Sequence, residues 1–274
     1  MQLSGLFIYP VKSLRGIALT EATVDALGLE GDRRFMLVDA NGRFLTQRTL
    51  PRMALIATAL SADVLTLSAA GAGSCEVARH SPRDASAARR NVSVWKSEGL
   101  LADDCGDAPA KWLSDVLQLD CRLVRIGDKF IRPILKPAAG PGDRVTFADS
   151  VPFLVLSEAS VADLNDRLVA QGEDAVPMNR FRPNLVVRDC APFAEDAWPR
   201  LRIGDVVFRA GGPCARCVIT TTNQDTAERG REPLRTLATY RRDAADPSDV
   251  NFGQNLIHET KSGTLRIGDP VEIL

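Results

Sequence analysis

Arg34-Phe35-Met36-Leu37-Val38-Asp39-Ala40-Asn41-Gly42-Arg43-Phe44-Leu45 places two short apolar runs on either side of an Asn-Gly pair. Asn-Gly supplies the left-handed positions of a tight turn, so the stretch predicts a β-hairpin. Upstream, Leu6-Phe7-Ile8-Tyr9 and Ala18-Leu19-Thr20-Glu21-Ala22-Thr23-Val24 are also short and β-rich, divided from the hairpin by Leu29-Glu30-Gly31-Asp32. Downstream, Ala54-Leu55-Ile56-Ala57 and Val64-Leu65-Thr66-Leu67 extend the series. Short strands at this spacing predict a barrel or sandwich. Residues 69–93 are rich in Ala, Ser, Gly and Arg and read as a loop.

Two segments read as helices. Asp107 is placed to cap one, with Pro109 in its first turn and Trp112, Leu113, Val116 and Leu117 on one face. Ser157 is placed to cap the other, with Val161, Leu164 and Leu168 at helical spacing. Residues 233–240 form a weaker third candidate. The Pro/Gly/Lys/Arg-rich run 128–144 reads as a long connection, a kind of segment that often carries function. A domain boundary is therefore expected near residue 120, giving units 1–120 and 121–274. Arg-Ile-Gly-Asp occurs at 125–128, 202–205 and 266–269, and the last two share Leu-Arg-Ile-Gly-Asp-x-Val. Gly at a strand–turn–strand corner explains the recurrence and supports a second β-barrel.

The chain has 274 residues, 45% hydrophobic, with a formal net charge of −1. That suffices for one large core or two modest ones. The near-neutral charge gives no footprint for nucleic acid or an anionic membrane. No apolar run reaches membrane-spanning length, and the N-terminal run lacks a signal-peptide pattern, so a cytoplasmic location is expected. Six cysteines are too sparse for a disulfide scaffold, and two histidines leave few His-based metal sites or triads.

Candidate chemistry concentrates in four runs. Gly211-Gly212-Pro213-Cys214-Ala215-Arg216-Cys217 ends on a thiol directly after an Arg, and an adjacent cation favours the thiolate. Half a zinc site, a redox dithiol and plain packing all remain open for this Cys-x-x-Cys. Tyr9-Pro10-Val11-Lys12-Ser13-Leu14-Arg15-Gly16 offers Lys, Ser, Arg and main-chain N–H groups in a turn, which suits a phosphate or simply a solvated loop. Gly31-Asp32-Arg33-Arg34-Phe35 carries two arginines into an apolar strand, so one must face the interior, with Asp32 its local partner. Asn179-Arg180-Phe181-Arg182-Pro183-Asn184 places Arg182 and Asn184 at the start of another strand, where they can donate to phosphate or heteroaromatic edges. Four such clusters at strand ends suggest a shared anionic cofactor with a soft metal.

Those runs carry a resemblance. With Asp104-Cys105-Gly106-Asp107 and Pro152-Phe153-Leu154-Val155-Leu156-Ser157-Glu158-Ala159-Ser160, the chain resembles the MOSC-domain family over nearly its whole length, and within it the amidoxime-reducing branch. The resemblance implies a mainly β fold with a few helices (α+β): an N-terminal β-barrel domain, then a MOSC β-barrel. It implies the molybdenum cofactor, Mo-molybdopterin, and makes Cys217 the thiolate on the metal. Lys12, Ser13 and Arg33 would hold the pterin phosphate. Arg182, Asn184 and Ser150 would contact the pterin and phosphate region. Asp149 would lie near the metal and assist proton transfer.

The implied activity is reduction of N-hydroxylated compounds with electrons from a separate flavin, haem or iron–sulfur protein. A carrier or sulfur-transfer protein for the same cofactor is the alternative. Neither pyridoxal phosphate, nucleic acid nor a membrane is expected as a partner, and the oligomeric state is open. Three positions depart from the pattern: Leu14 replaces a cysteine, Val151 a small hydroxyl residue, and Asn223-Gln224 the usual Asp-Pro. The chain has no Cys₄ iron–sulfur pattern of a ferredoxin.

Overall fold

The computed structural model describes residues 1–80 and 88–274. The first part of the chain runs through β1 (Gln2–Ile8), β2 (Ile17–Leu19), β3 (Glu21–Asp25), β4 (Gly28–Leu29), β5 (Phe35–Val38), β6 (Ala57–Leu60), β7 (Val64–Ala69), β8 (Gly73–Ala78), β9 (Arg89–Val94) and β10 (Ser97–Asp104). Helix α1 (Asp107–Leu117) and β11 (Arg122–Arg125) follow. The second part comprises β12 (Phe153–Ser157), α2 (Glu158–Ala170), β13 (Leu185–Arg188), β14 (Arg200–Ile203), β15 (Val206–Ala215), α3 (Leu234–Leu237), β16 (Asn251–His258), β17 (Gly263–Arg266) and β18 (Val271–Ile273). Among the described residues no helix is long and apolar enough to cross a membrane.

Four sheets result. The largest orders its strands β18-β14-β15-β16-β12-β13-β1-β2, and smaller sheets follow the orders β5-β11-β10-β9, β17-β3-β4 and β6-β7-β8. Alternation explains the half-buried strands: in β14, Arg200 and Arg202 face solvent while Leu201 and Ile203 are buried. Strand β12 is buried along its whole length because it lies inside the large sheet, with α2 packed nearby. It pairs parallel with β13, which requires a crossover, and α2 supplies it. One core joins Leu3, Leu6, Phe153, Leu185, Leu201 and Phe208. A second joins Phe35, Leu37, Leu65 and Leu67 to Leu113 and Leu117 of α1.

The hairpin at Asn41-Gly42 is present, with Leu45 N donating to Leu37 O at 2.8 Å. Ser157 caps α2 by accepting from Ser160 N. Several local readings change. Pro51 opens a 3₁₀ turn over Pro51–Leu55, so the strand expected from Ala54 begins at Ala57. The expected loop 69–93 contains most of β8 and β9, and its remaining stretch 81–87 lies outside the described residues. Helix α1 is capped by Gly106, while Asp107 sits inside the first turn and pairs with Arg122. The third helix shrinks to four residues. Gly204 and Gly268 adopt positive φ at their turns. Gly127, in the remaining repeat, is instead required by space: a Cβ there would lie 2.3 Å from the Asp103 carboxylate.

Candidate functional site

A cavity of about 390 Å³ opens where the ends of β1, β12, β13 and β15 meet the turns before β5 and after β9. Lys12, Ser13, Arg33, Asp149, Ser150, Arg182, Asn184 and Cys217 all line it. These residues come from five separated segments, so the fold brings these eight side chains to one cavity.

The backbone at the cavity is unusual. Ser13, Arg33, Trp95 and Arg182 have φ of 66°, 49°, 54° and 56°. Among the described residues, four of the eight non-glycine residues with positive φ therefore face one cavity. Each such position costs roughly 1 kcal/mol or more and tends to mark function.

Charge is equally lopsided. Lys12, Arg33, Arg48, Lys136, Arg182 and Arg216 line the cavity against one carboxylate, Asp149. Lys12 donates to Phe147 O at 2.9 Å and pairs with Asp149. Burial pushes the Lys12 ammonium down, with Asp149 opposing. Burial alone would raise the Asp149 carboxyl, but Lys12, then Arg48 and the Trp95 indole, hold it well below the usual carboxylate range. Arg33 pairs with Asp32 at 2.5 Å and donates to Asn184 Oδ1 at 3.1 Å. Tyr9 lies beneath both Arg33 and Arg182, whose guanidinium carbons stand 4.6 and 4.2 Å from its ring centre. Burial raises the Tyr9 phenol to about 12 and lowers the Arg182 guanidinium to about 10.

Not every candidate is free to bind. The Asn184 amide accepts from Arg33 and Leu154 N and donates to Phe7 O, so it ties three segments together. Among the described residues, Arg182 and Lys136 have no carboxylate partner, and the Ser150 hydroxyl takes no hydrogen bond. The buried Arg216 Nε also lacks an acceptor.

The two thiols are inequivalent. Arg216 does not serve the cysteine beside it: its Nη1 donates to Cys214 Sγ at 2.9 Å and its Nη2 to Phe181 O at 2.7 Å. In an extended segment residues i and i+2 share a side, which pairs Arg216 with Cys214. Cys217 instead accepts from Arg48 Nε at 3.2 Å. Arg48 stacks 4.1 Å above the Trp95 ring and reaches Asp149 at 3.5 Å. Register irregularities at Ala210/Gly212 and Pro213/Ala215 re-aim the end of β15 toward the cavity, as bulges beside sites often do. Both cysteines are free.

Sequence reading missed Arg48, Trp95 and Lys136. Lys136 had a signal, since it lies in the long connection 128–144; Arg48 and Trp95 sit in short turns with no local mark. Among the described residues no group of three His, Cys, Asp or Glu side chains is arranged to hold a metal. With Cys214 engaged by Arg216, the Cys217 thiol amid cations that lack a carboxylate suits a metal delivered on an anionic cofactor, which brings its own remaining ligands. The residues present therefore fit molybdopterin.

Fold and cavity define a MOSC protein: residues 1–120 match the MOSC N-terminal beta barrel domain and 142–272 the MOSC domain, and the chain belongs to this family. It is mainly β with few helices, an N-terminal barrel domain preceding the MOSC domain. It is 38% identical over 286 residues to mitochondrial amidoxime-reducing component 1 of Homo sapiens, covering 98% of this chain and 82% of that protein. It is 34% identical to the human mitochondrial amidoxime reducing component 2, covering 97% and 81%. Molybdenum cofactor sulfurase of Danio rerio is 33% identical, covering 94% of this chain and 32% of that protein.

Proposed function

We propose that the cavity binds the molybdenum cofactor and that the protein reduces N-hydroxylated compounds of the amidoxime and N-hydroxylated-base type, using electrons from a separate flavin, haem or iron–sulfur protein. The observation that carries this reading is the surplus of cations without a carboxylate among the described residues, Arg182, Lys136 and Arg216, around the free thiol of Cys217. The names of the relatives support the amidoxime substrate.

Cys217 would hold the metal. Lys12, Ser13, Arg33, Ser150 and Arg182 would bind the phosphate and pterin, and Asn184 would fix the Arg33 fork. Charge-assisted hydrogen bonds from these cations favour a phosphate over neutral ligands. When bound, the cofactor supplies two-electron redox chemistry that cleaves the N–O bond. The balanced reaction takes up two electrons and two protons and yields the N–H product and water. Asp149 is half-exposed to the cavity and is held as a carboxylate by Lys12, Arg48 and Trp95. As a carboxylate it would accept a hydrogen bond from the substrate or from a water beside the leaving oxygen and so align proton transfer, the two protons themselves coming from solvent. Residues 1–120 and 121–274 would both contribute, so the division near residue 120 runs through the binding site.

Similarity to a cofactor sulfurase supports one other reading, a carrier without turnover. Reduction of benzamidoxime with an artificial electron donor separates the two. The proposal expects turnover by the wild type and loss of at least about a hundredfold in Cys217→Ala. A molybdenum-loaded wild type without turnover would favour the carrier, and full activity in Cys217→Ala would overturn the assignment of the thiol.

A further inference from the structure

Arg132 is only 4% exposed and lies outside the residues that line the cavity. It forms no ion pair among the described residues. Its guanidinium is spent on main-chain carbonyls. Nη1 donates to Thr146 O at 2.8 Å and Ala148 O at 2.5 Å, and Nη2 to Asp149 O at 3.1 Å. Nε reaches Ser97 Oγ at 3.2 Å. The carbonyl omitted from this series, Phe147 O, is taken by Lys12 Nζ. Four successive carbonyls, 146 through 149, are thus held by two buried cations. Burial pulls the Arg132 guanidinium down to about 10, with the Asp149 charge opposing. Burying a cation without a carboxylate is costly, so its effect on the backbone is the feature to explain.

Peptide geometry supplies the effect. In a trans peptide the carbonyl of one residue and the N–H of the next point in opposite directions. Turning the carbonyls of Ala148 and Asp149 toward Arg132 therefore turns the N–H groups of Asp149 and Ser150 away from it. Ala148, Asp149, Ser150 and Val151 line the cavity. The preceding amides are satisfied: Phe147 N donates to Arg33 O at 3.1 Å and Ala148 N to Thr146 Oγ1 at 3.3 Å. The N–H groups of Asp149, Ser150 and Val151 have no acceptor among the described residues. Successive free amides beside unpaired Arg182 and Lys136 form a cradle for an oxyanion.

We propose that Arg132 is a positioning residue: it draws the carbonyls of 146, 148 and 149 back and so presents the amides of 149 and 150 to a phosphate group in the cavity. This rests on reading the cavity as an anion site. The alternative role, pinning the 128–144 connection to the turn at Ser97, predicts lower stability without any change in anion binding.

Inorganic pyrophosphate binding to the cofactor-free protein, measured by calorimetry together with amide shifts, separates these outcomes. The wild type is expected to bind pyrophosphate with shifts at the amides of 149 and 150. Arg132→Met is expected to bind about tenfold or more weakly and to lose those shifts. Arg132→Lys keeps the buried charge but lacks the planar fork, so it falls between them and serves where the methionine variant does not fold. Equal affinity and unchanged amide shifts in a folded variant would overturn the role of Arg132 while leaving the cavity reading intact. Absence of pyrophosphate binding by the wild type would overturn both.

Discussion

Two arginine-rich grooves in this protein differ in one respect. The groove beside α1 has a volume of about 520 Å³, comparable to the cavity at Cys217, and is lined by Arg90, Lys111 and Arg122 against Asp107, Asp115 and Asp120. Beneath it, Asp104 accepts from Arg90, from Arg122 at 2.7 and 2.8 Å and from Gly106 N at 2.8 Å. Although burial opposes this, Arg122 and Arg90 hold its carboxyl at about 2. Each cation there has its carboxylate. Among the described residues six cations line the Cys217 cavity; Lys12 and Arg48 share Asp149 and Arg33 has Asp32 behind it, which leaves Arg182, Lys136 and Arg216 without a carboxylate. Size does not set the two apart; cations without a carboxylate do.

The comparison breaks most clearly at Arg182. Arg182→Met is expected to reduce cofactor retention by about a hundredfold, the scale of a lost charge-assisted contact. It should lower stability little, because no carboxylate is left behind and Arg33 still covers the Tyr9 ring. Molybdenum content together with a denaturant midpoint checks both parts.

A third region gives a pH effect of its own. His258 is fully buried, with Nε2 against Asp25 O at 2.9 Å and Nδ1 without a partner. Burial first, then Lys261, lowers it from 6.5 to about 4. Between those values the unfolded chain binds the extra proton and the folded chain does not. Stability is therefore complete above pH 6.5 and falls by roughly 3 kcal/mol as the pH drops to 4. His258→Gln should flatten that window in pH-dependent urea melts.

Asp104→Asn sharpens the contrast from the other side. It should cost about 2 kcal/mol of stability and leave cofactor content unchanged. The Asp104 contribution is present above its unfolded value near 4 and is lost as the pH falls toward 2, so the variant should lose only this lower acid step. The smallest effect is expected at Trp95. Trp95→Leu removes the face on which Arg48 stacks and should lower turnover about threefold, with molybdenum content retained.

Much of the fold was legible because it is local. Alternation in β3 and β14, Asn41-Gly42 and the Ser157 cap each act within a few residues. Strands β8 and β9 were hidden because Ser, Gly, Ala and Arg dominate their surroundings, although Val77 and Val92 supply buried positions. The pairing of β1 with β13 was beyond reach: Gln2 pairs with Arg188. The site followed the same rule. Lys12, Arg33 and Arg182 stood out as cations near apolar strands. The bond from Arg48 to Cys217 spans 169 positions, and adjacency pointed instead to Arg216, which the pleat turns toward Cys214. Arg132 left only a Pro-rich loop as its sign, since carbonyl contacts carry no side-chain signature.

Metal analysis of the purified wild type beside Cys217→Ala and Arg182→Met tests the central claim most directly. The account predicts molybdenum equimolar with the wild-type chain, sharply reduced in Arg182→Met and lost or labile in Cys217→Ala. Zinc held by Cys214 and Cys217, or a molybdenum content indifferent to both substitutions, would contradict it.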